Sequence, residues 1–187
     1  MAGIWIFSEK VEIAKRLITL GTELRQALGQ PLRVFCFEAK TGLEYIDCGA
    51  DEGMILREYL GYTVSYSQSI IQLALREEPA VILLDDTLRG RDLAMALAVR
   101  LPMRLVHDAL QAGFDGKDLL VKRKVDGGGM VLTGRQSLPA IITLAVDAYP
   151  AAADTERAGR LIHMPLSSGG RTPLMLPGLM FGVLSDE

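Results

Sequence analysis

The sequence predicts an α/β fold, a mostly parallel sheet flanked by helices with an antiparallel extension. Three observations carry that expectation. Residues 80–84 (AVILL) form an unbroken apolar run between Pro79 and the pair Asp85 and Asp86, which suits a strand buried on both faces of a parallel sheet. Residues 91–101 then place Leu93, Ala94, Leu97, Ala98 and Leu101 at helical spacing, making one apolar stripe. The chain also opens strand–helix–strand, the unit from which a parallel sheet with right-handed crossovers is built.

Residues 3–7 (GIWIF) predict a central strand. Ser8 stands where a helix cap is needed, and Val11, Ala14, Leu17, Ile18, Leu24, Ala27 and Leu28 predict a helix that stops near Gly29 and Pro31. Residues 32–37, rich in β-branched and aromatic side chains, predict a second strand. Residues 41–51 show no clear period and are expected to be irregular, ahead of a short strand at 54–56. Residues 62–78 predict a helix with Tyr66, Ile70, Leu73 and Ala74 on one face.

Between the apolar run and the helix at 91, Thr87 and Gly90 predict a tight strand-to-helix turn, with Asp92 opposing the positive end of the helix dipole. Such a turn at the carboxyl edge of an open α/β sheet is the usual ligand crevice. Asp85 and Asp86 weigh against a phosphate there, because two carboxylates repel it unless a cation or Arg89 and Arg91 compensate. Farther on, residues 104–110, 119–125, 130–133 and 140–146 alternate with turn clusters and no helix, and are expected to form the antiparallel section. Residues 151–160 are small and polar, a linker or a frayed helix. Met164, Met175, Leu176, Leu179, Met180 and Phe181 make an apolar tail too rich to stay solvated, expected to pack on its own core or on another chain. The organisation expected is a domain over residues 1–150 and a linker with an apolar tail over 151–187.

Composition excludes several classes. Of the 187 residues 49% are hydrophobic and 23% charged, and the net charge is −3, which leaves no basic footprint for nucleic acid. Cys36 and Cys48 lack a C-x-x-C spacing and read as buried or incidental thiols. The amino terminus does not read as a signal peptide, and no run approaches the ~18 apolar residues that span a bilayer, so a cytoplasmic location is expected. There is no G-x-S-x-G elbow, no G-x-x-x-x-G-K-[ST] loop and no G-x-G-x-x-G after the first strand, where Phe7, Ser8 and Glu9 stand. His107 and His163 have no partner at metal or catalytic spacing, and His107 reads as a satisfied core group. Neither a catalytic nor a metal-ligating residue is expected.

One set of residues resembles a known family. Thr87, Gly90, Arg91, Asp92, Leu93 and Ala94, followed by Ala98, Arg100 and Leu101, are similar to the amino-terminal domain of the electron-transfer flavoprotein alpha subunit. Further echoes follow in order: Gly49-Ala50-Asp51 before the third strand, Tyr66 in the helix after it, and Val106 with Asp108 in the strand beyond. Arg123 with Gly127, Gly128 and Gly129 resembles the family's Arg-Pro-x-Tyr-x-Gly segment, although Lys124 and Asp126 replace its proline and tyrosine. The resemblance implies an adenine nucleotide alpha hydrolase-like, Rossmann-like three-layer fold and a part in flavin-dependent electron transfer within a complex. It implies a beta-type subunit or a second copy of the chain as partner, and FAD or AMP held with that partner or not at all. The cofactor-contacting candidates are Ser8, Thr87, Gly90, Arg91, Asp92, Arg123, Gly127 and Gly128. The family's second, FAD-holding domain has no counterpart in the residues after 150. Two other readings stay open, a small adenine-nucleotide-binding module and a structural homodimer with no redox role.

Overall fold

A nine-stranded sheet organises the computed structural model, which describes residues 3–56, 64–125, 129–145, 149–153 and 158–164. Its strands are β1 (Ile4–Phe7), β2 (Leu32–Cys36), β3 (Glu52–Ile55), β4 (Val81–Asp85), β5 (Arg104–Phe114), β6 (Leu119–Val125), β7 (Met130–Gln136), β8 (Ala140–Leu144) and β9 (Arg160–His163), in the order β7-β6-β5-β8-β4-β1-β2-β3-β9. Seven strands run parallel, from β5 across to β9, and β6 and β7 add an antiparallel hairpin at one edge. The α/β expectation, with its antiparallel extension, is met.

Helices α1 (Val11–Leu28) and α2 (Ala39–Asp47) cover one face, where Leu17, Ile18 and Leu24 meet Ile4, Ile6, Val34, Val81 and Ile142. Helices α3 (Val64–Glu77) and α4 (Leu88–Arg100) cover the other, where Ile70, Ala74, Leu93 and Leu97 meet Trp5, Phe35, Ile82 and Ile141. Alternate residues of one strand therefore serve opposite cores, which is why these strands read as unbroken apolar runs.

Several expectations change. Residues 41–51 are not irregular, since α2 occupies Ala39–Asp47 and buries Gly42, Tyr45 and Ile46 at helical spacing. The glycine that hides this helix in the sequence has a packing role. A Cβ at Gly42 would lie 2.6 Å from Leu161 Cδ2, and one at Gly53 2.8 Å from the same atom, so the two glycines form a notch for a side chain of β9. That ninth strand comes from residues beyond 150, where a linker and a tail are expected. The remainder of the tail, with Met175, Leu176, Leu179, Met180 and Phe181, lies outside the described residues.

Residues 140–144 also leave the antiparallel section. β8 runs parallel between β4 and β5, pairing Val81 with Ala140 and Arg104 with Ala140. Buried on both faces and on both edges, it carries the same continuous apolar run as β4. Finally, α4 begins three residues earlier than the apolar stripe suggests. Thr87 is its N-cap, and Asp92 falls outside the first turn, too far along to oppose the helix dipole.

Candidate functional site

The sheet changes direction of winding at β1. From β1 the chain moves through α1, β2 and α2 to β3, then crosses back over the opposite face through α3 to β4 on the other side of β1. A crevice at such a switch point opens outside the carboxyl ends of the two diverging strands. Here its walls are the turn after β1, with Ser8 and Glu9, and the turn after β4, with Asp85, Asp86 and Thr87.

At the floor lies Asp85, only 3% exposed. The Ser8 hydroxyl donates to its Oδ2 across the crevice. The Thr87 backbone N–H and hydroxyl donate to its Oδ1, at 3.2 and 2.5 Å. Thr87 Oγ1 in turn accepts the Gly90 N–H at 3.2 Å, the N-cap bond that starts α4. Ser8 is therefore not the cap of α1. That helix has Lys10 at its N-cap with no side-chain cap bond, and the Ser8 hydroxyl, which accepts the Lys10 N–H at 3.1 Å, gives its proton to Asp85. Gly90 has its own reason to be glycine: a Cβ there would stand 2.1 Å from the Asp85 carbonyl oxygen and 2.2 Å from Asp85 Oδ1.

Two further clusters flank this floor. Asp86 receives a fork from Arg91, Nε to Oδ1 at 2.9 Å and Nη2 to Oδ2 at 2.6 Å, together with the Thr143 hydroxyl at 2.8 Å. Thr143 Oγ1 accepts the N–H of Asp108, a residue held at φ 59 where β5 bulges against β8. On the other side Glu9 accepts from Arg89 at 2.8 Å and from the Tyr66 hydroxyl at 2.9 Å. Burial, helped by the bond to Glu9, pushes the Tyr66 phenol up to about 12. Tyr66 also stacks its ring at 5.1 Å from Phe7.

Asp86 carries a pH dependence. Burial acts to raise its pKa, but hydrogen bonds with Arg91, Asp108 and Thr143 and the charge of Arg91 outweigh burial and hold it below the ordinary 3.8. A carboxyl depressed in the folded state contributes stability above its unfolded pKa and loses it as pH falls through the folded one. Stability should therefore decline below about pH 4. Arg91→Ala, which leaves Asp86 nearer its ordinary value, should flatten that part of the curve. Urea unfolding of both proteins between pH 5 and pH 2 checks this, and equal slopes would disprove it.

Of the candidates read from the sequence, Ser8, Thr87, Gly90 and Arg91 converge at this edge. Asp92 points outward from α4, exposed. Arg123 sits on β6, with β5 and β8 between it and β4, roughly 14 Å away at ordinary strand spacing. Gly127 and Gly128 lie outside the described residues. His107 is no core group, its side chain being 64% exposed beside Asp108. The residues that sequence reasoning undervalues are Asp85, Glu9 and Thr143. Asp85 is visible only as a carboxylate closing an apolar run, and Thr143 gives no signal, because its role depends on β8 lying beside β4.

The residues at this edge do not fit the phosphate of a flavin or adenine nucleotide. Three carboxylates, Asp85, Asp86 and Glu9, face the crevice, and each is already bound by the donors and cations that a phosphate would need. A second opening, about 520 Å³, lies at the opposite, amino edge of the strands, with Arg25, Asp51, Glu52 and Arg160 among its walls. Its charges are paired there too, Arg25 with Asp51 and Arg160 with Glu52. Among the described residues, no helix is long and apolar enough to cross a membrane.

Comparison with known proteins agrees with this architecture. The chain is 27% identical over 144 residues to the electron transfer flavoprotein subunit alpha of Clostridium acetobutylicum, an alignment covering 70% of this chain and 43% of that one. It is 27% identical over 143 residues to Protein FixB of Clostridium saccharobutylicum, with the same coverage of 70% and 43%. The chain thus spans less than half the length of these relatives. The family model for the electron transfer flavoprotein domain matches residues 10–168, from the start of α1 through β9, and with most of its length inside that match the chain belongs to the electron transfer flavoprotein domain family.

Proposed function

We propose that this chain acts as an alpha-type domain of an electron-transfer flavoprotein complex, docking a beta-type subunit so that a flavin is held within the assembly and not in the crevice. The observation that carries the reading is the outer edge of the sheet. β7 is the terminal strand, and Met130, Val131 and Leu132 are 61%, 57% and 56% exposed. An edge strand with free ladder groups and three consecutive exposed apolar side chains is a liability in a lone monomer and a surface for a partner in an assembly.

The cross-strand register adds to this. Met130 and Leu132 sit opposite Val125 and Arg123, so the exposed side chains of Met130 and Leu132 share one face of the hairpin with Val125 and Arg123. Arg123 stands on that face, and Arg123, with Gly127 and Gly128 between β6 and β7 in sequence, is the proposed contact with FAD or AMP. The flavin, when bound, supplies the centre that carries electrons. The residues of this chain supply the edge that positions the neighbouring subunit.

Co-expression of the chain with a beta-type subunit, followed by gel filtration and a visible spectrum, tests the proposal. The chain alone should be colourless, and a complex should form and carry the flavin band. Leu132→Asp, an exposed change that leaves the fold intact, should weaken the complex at least about tenfold, or ~1.4 kcal/mol. Absence of any complex would refute the reading. A dimer of the chain alone, broken by the same variant, would place a second copy on β7 and favour the structural homodimer instead.

A further inference from the structure

We propose that the switch-point crevice is plugged from within, Asp85 standing as a built-in anion where a nucleotide phosphate would otherwise be seated. The inference concerns the carboxyl edge alone and does not rest on the partner reading of β7. Its basis is where the donors that surround Asp85 are directed. Ser8 and Thr87 direct two hydroxyls and one backbone N–H at the same carboxylate. Three further N–H groups of the turn are spent as well: Asp86 N–H on the Leu144 carbonyl at 3.1 Å, Gly90 N–H on Thr87 Oγ1, and Arg91 N–H on the Thr87 carbonyl at 2.9 Å. The start of a helix favours an anion through its free N–H groups and its dipole. In this chain the anion is a side chain.

Two cations are committed in the same way. Arg89 and Arg91, the arginines at the start of α4, each hold a carboxylate of the crevice wall, Glu9 and Asp86. The space is taken too. Asp85 is almost fully buried, and its carbonyl and carboxylate oxygens come so close to Gly90 that one added methyl would not fit. Ser8 on the β1 turn and Asp85 at the end of β4 thus tie together the two walls that a nucleotide would have to part. The crevice serves the fold as a clamp, and the reading of the chain as a small adenine-nucleotide-binding module loses its site.

The test is an amide-shift titration of the full chain with AMP and with inorganic phosphate at millimolar concentrations. For the native chain the amides of Ser8, Thr87 and Gly90 should not move. Asp85→Ser removes the carboxylate and keeps a short hydroxyl for Ser8 and Thr87, and it should give a saturable shift at those amides with both probes. A saturable shift at the same amides in the native chain would overturn the proposal. A folded Asp85→Ser variant that responds to neither probe would overturn it as well, since the carboxylate would then not be what keeps phosphate out. Asp85→Ala, which leaves the same donors facing the emptied space, replaces the serine variant if that one does not fold, and the native titration decides independently of both.

Discussion

Gly90→Ala is expected to destabilise the protein by at least about 3 kcal/mol, a large share of what a domain of this size has to lose. The added Cβ would stand 2.1 Å from the Asp85 carbonyl oxygen, inside any real contact distance. Relief would have to come from backbone. Asp85 ends β4, whose ladder with β1 on one side and β8 on the other fixes it, and Gly90 lies in the first turn of α4 under the Thr87 cap. Moving either one breaks hydrogen bonds that are already made. Gly113→Ala and Gly134→Ala provide the comparison, because an added Cβ meets nothing within 4 Å at either position. Those two should stay within about 0.5 kcal/mol of the parent in urea unfolding. If Gly90→Ala does the same, the close approach of α4 to β4 is wrong.

Trp5→Ala should cost about 3–5 kcal/mol, the range for emptying a large aromatic site in a packed core. Trp5 is fully buried in the central strand and meets Phe35 edge-on with ring centroids 5.3 Å apart. Its neighbours come from three directions, β2, β4 and the α3–α4 layer, so no single element can shift to close the hole. Far-UV circular dichroism against urea measures the loss. Trp5→Phe keeps an aromatic edge for Phe35 and should lose clearly less. Because the chain has one tryptophan, the parent's emission reports this same site, blue-shifted when folded and red-shifted when the sheet opens. A Trp5→Ala protein with unchanged stability would mean that the side chain is not buried between the layers.

What the sequence reveals follows from how local each cause is. Residues 4–7, 32–36 and 81–85 announce themselves because a strand buried on both faces must be apolar at every position. The turn at Thr87 and Gly90 is legible because the two lie three residues apart, but the cap that starts α4 at Leu88 is not, since the apolar stripe begins only at Leu93. Asp85 is legible only as a puzzle, an acid closing an apolar run, since its explanation lies with Ser8, 77 residues earlier. The same holds for α2, whose glycine makes sense only once Leu161 fills the notch beside it. β8 has the apolar run of a parallel strand but follows two antiparallel ones, and neighbours in sequence suggested a hairpin where the sheet makes an insertion.

That insertion has a consequence for how the chain is made. All five residues of β8 are completely enclosed, and it stands between β4 and β5 in the sheet. During synthesis β4 and β5 are both finished long before residue 140 leaves the ribosome, and until then each presents an open row of ladder groups to its surroundings. Until β8 is made, the sheet cannot close between β4 and β5. The bond from Thr143 to Asp86, and with it the closed carboxyl edge, therefore needs residues made after both of the strands it joins.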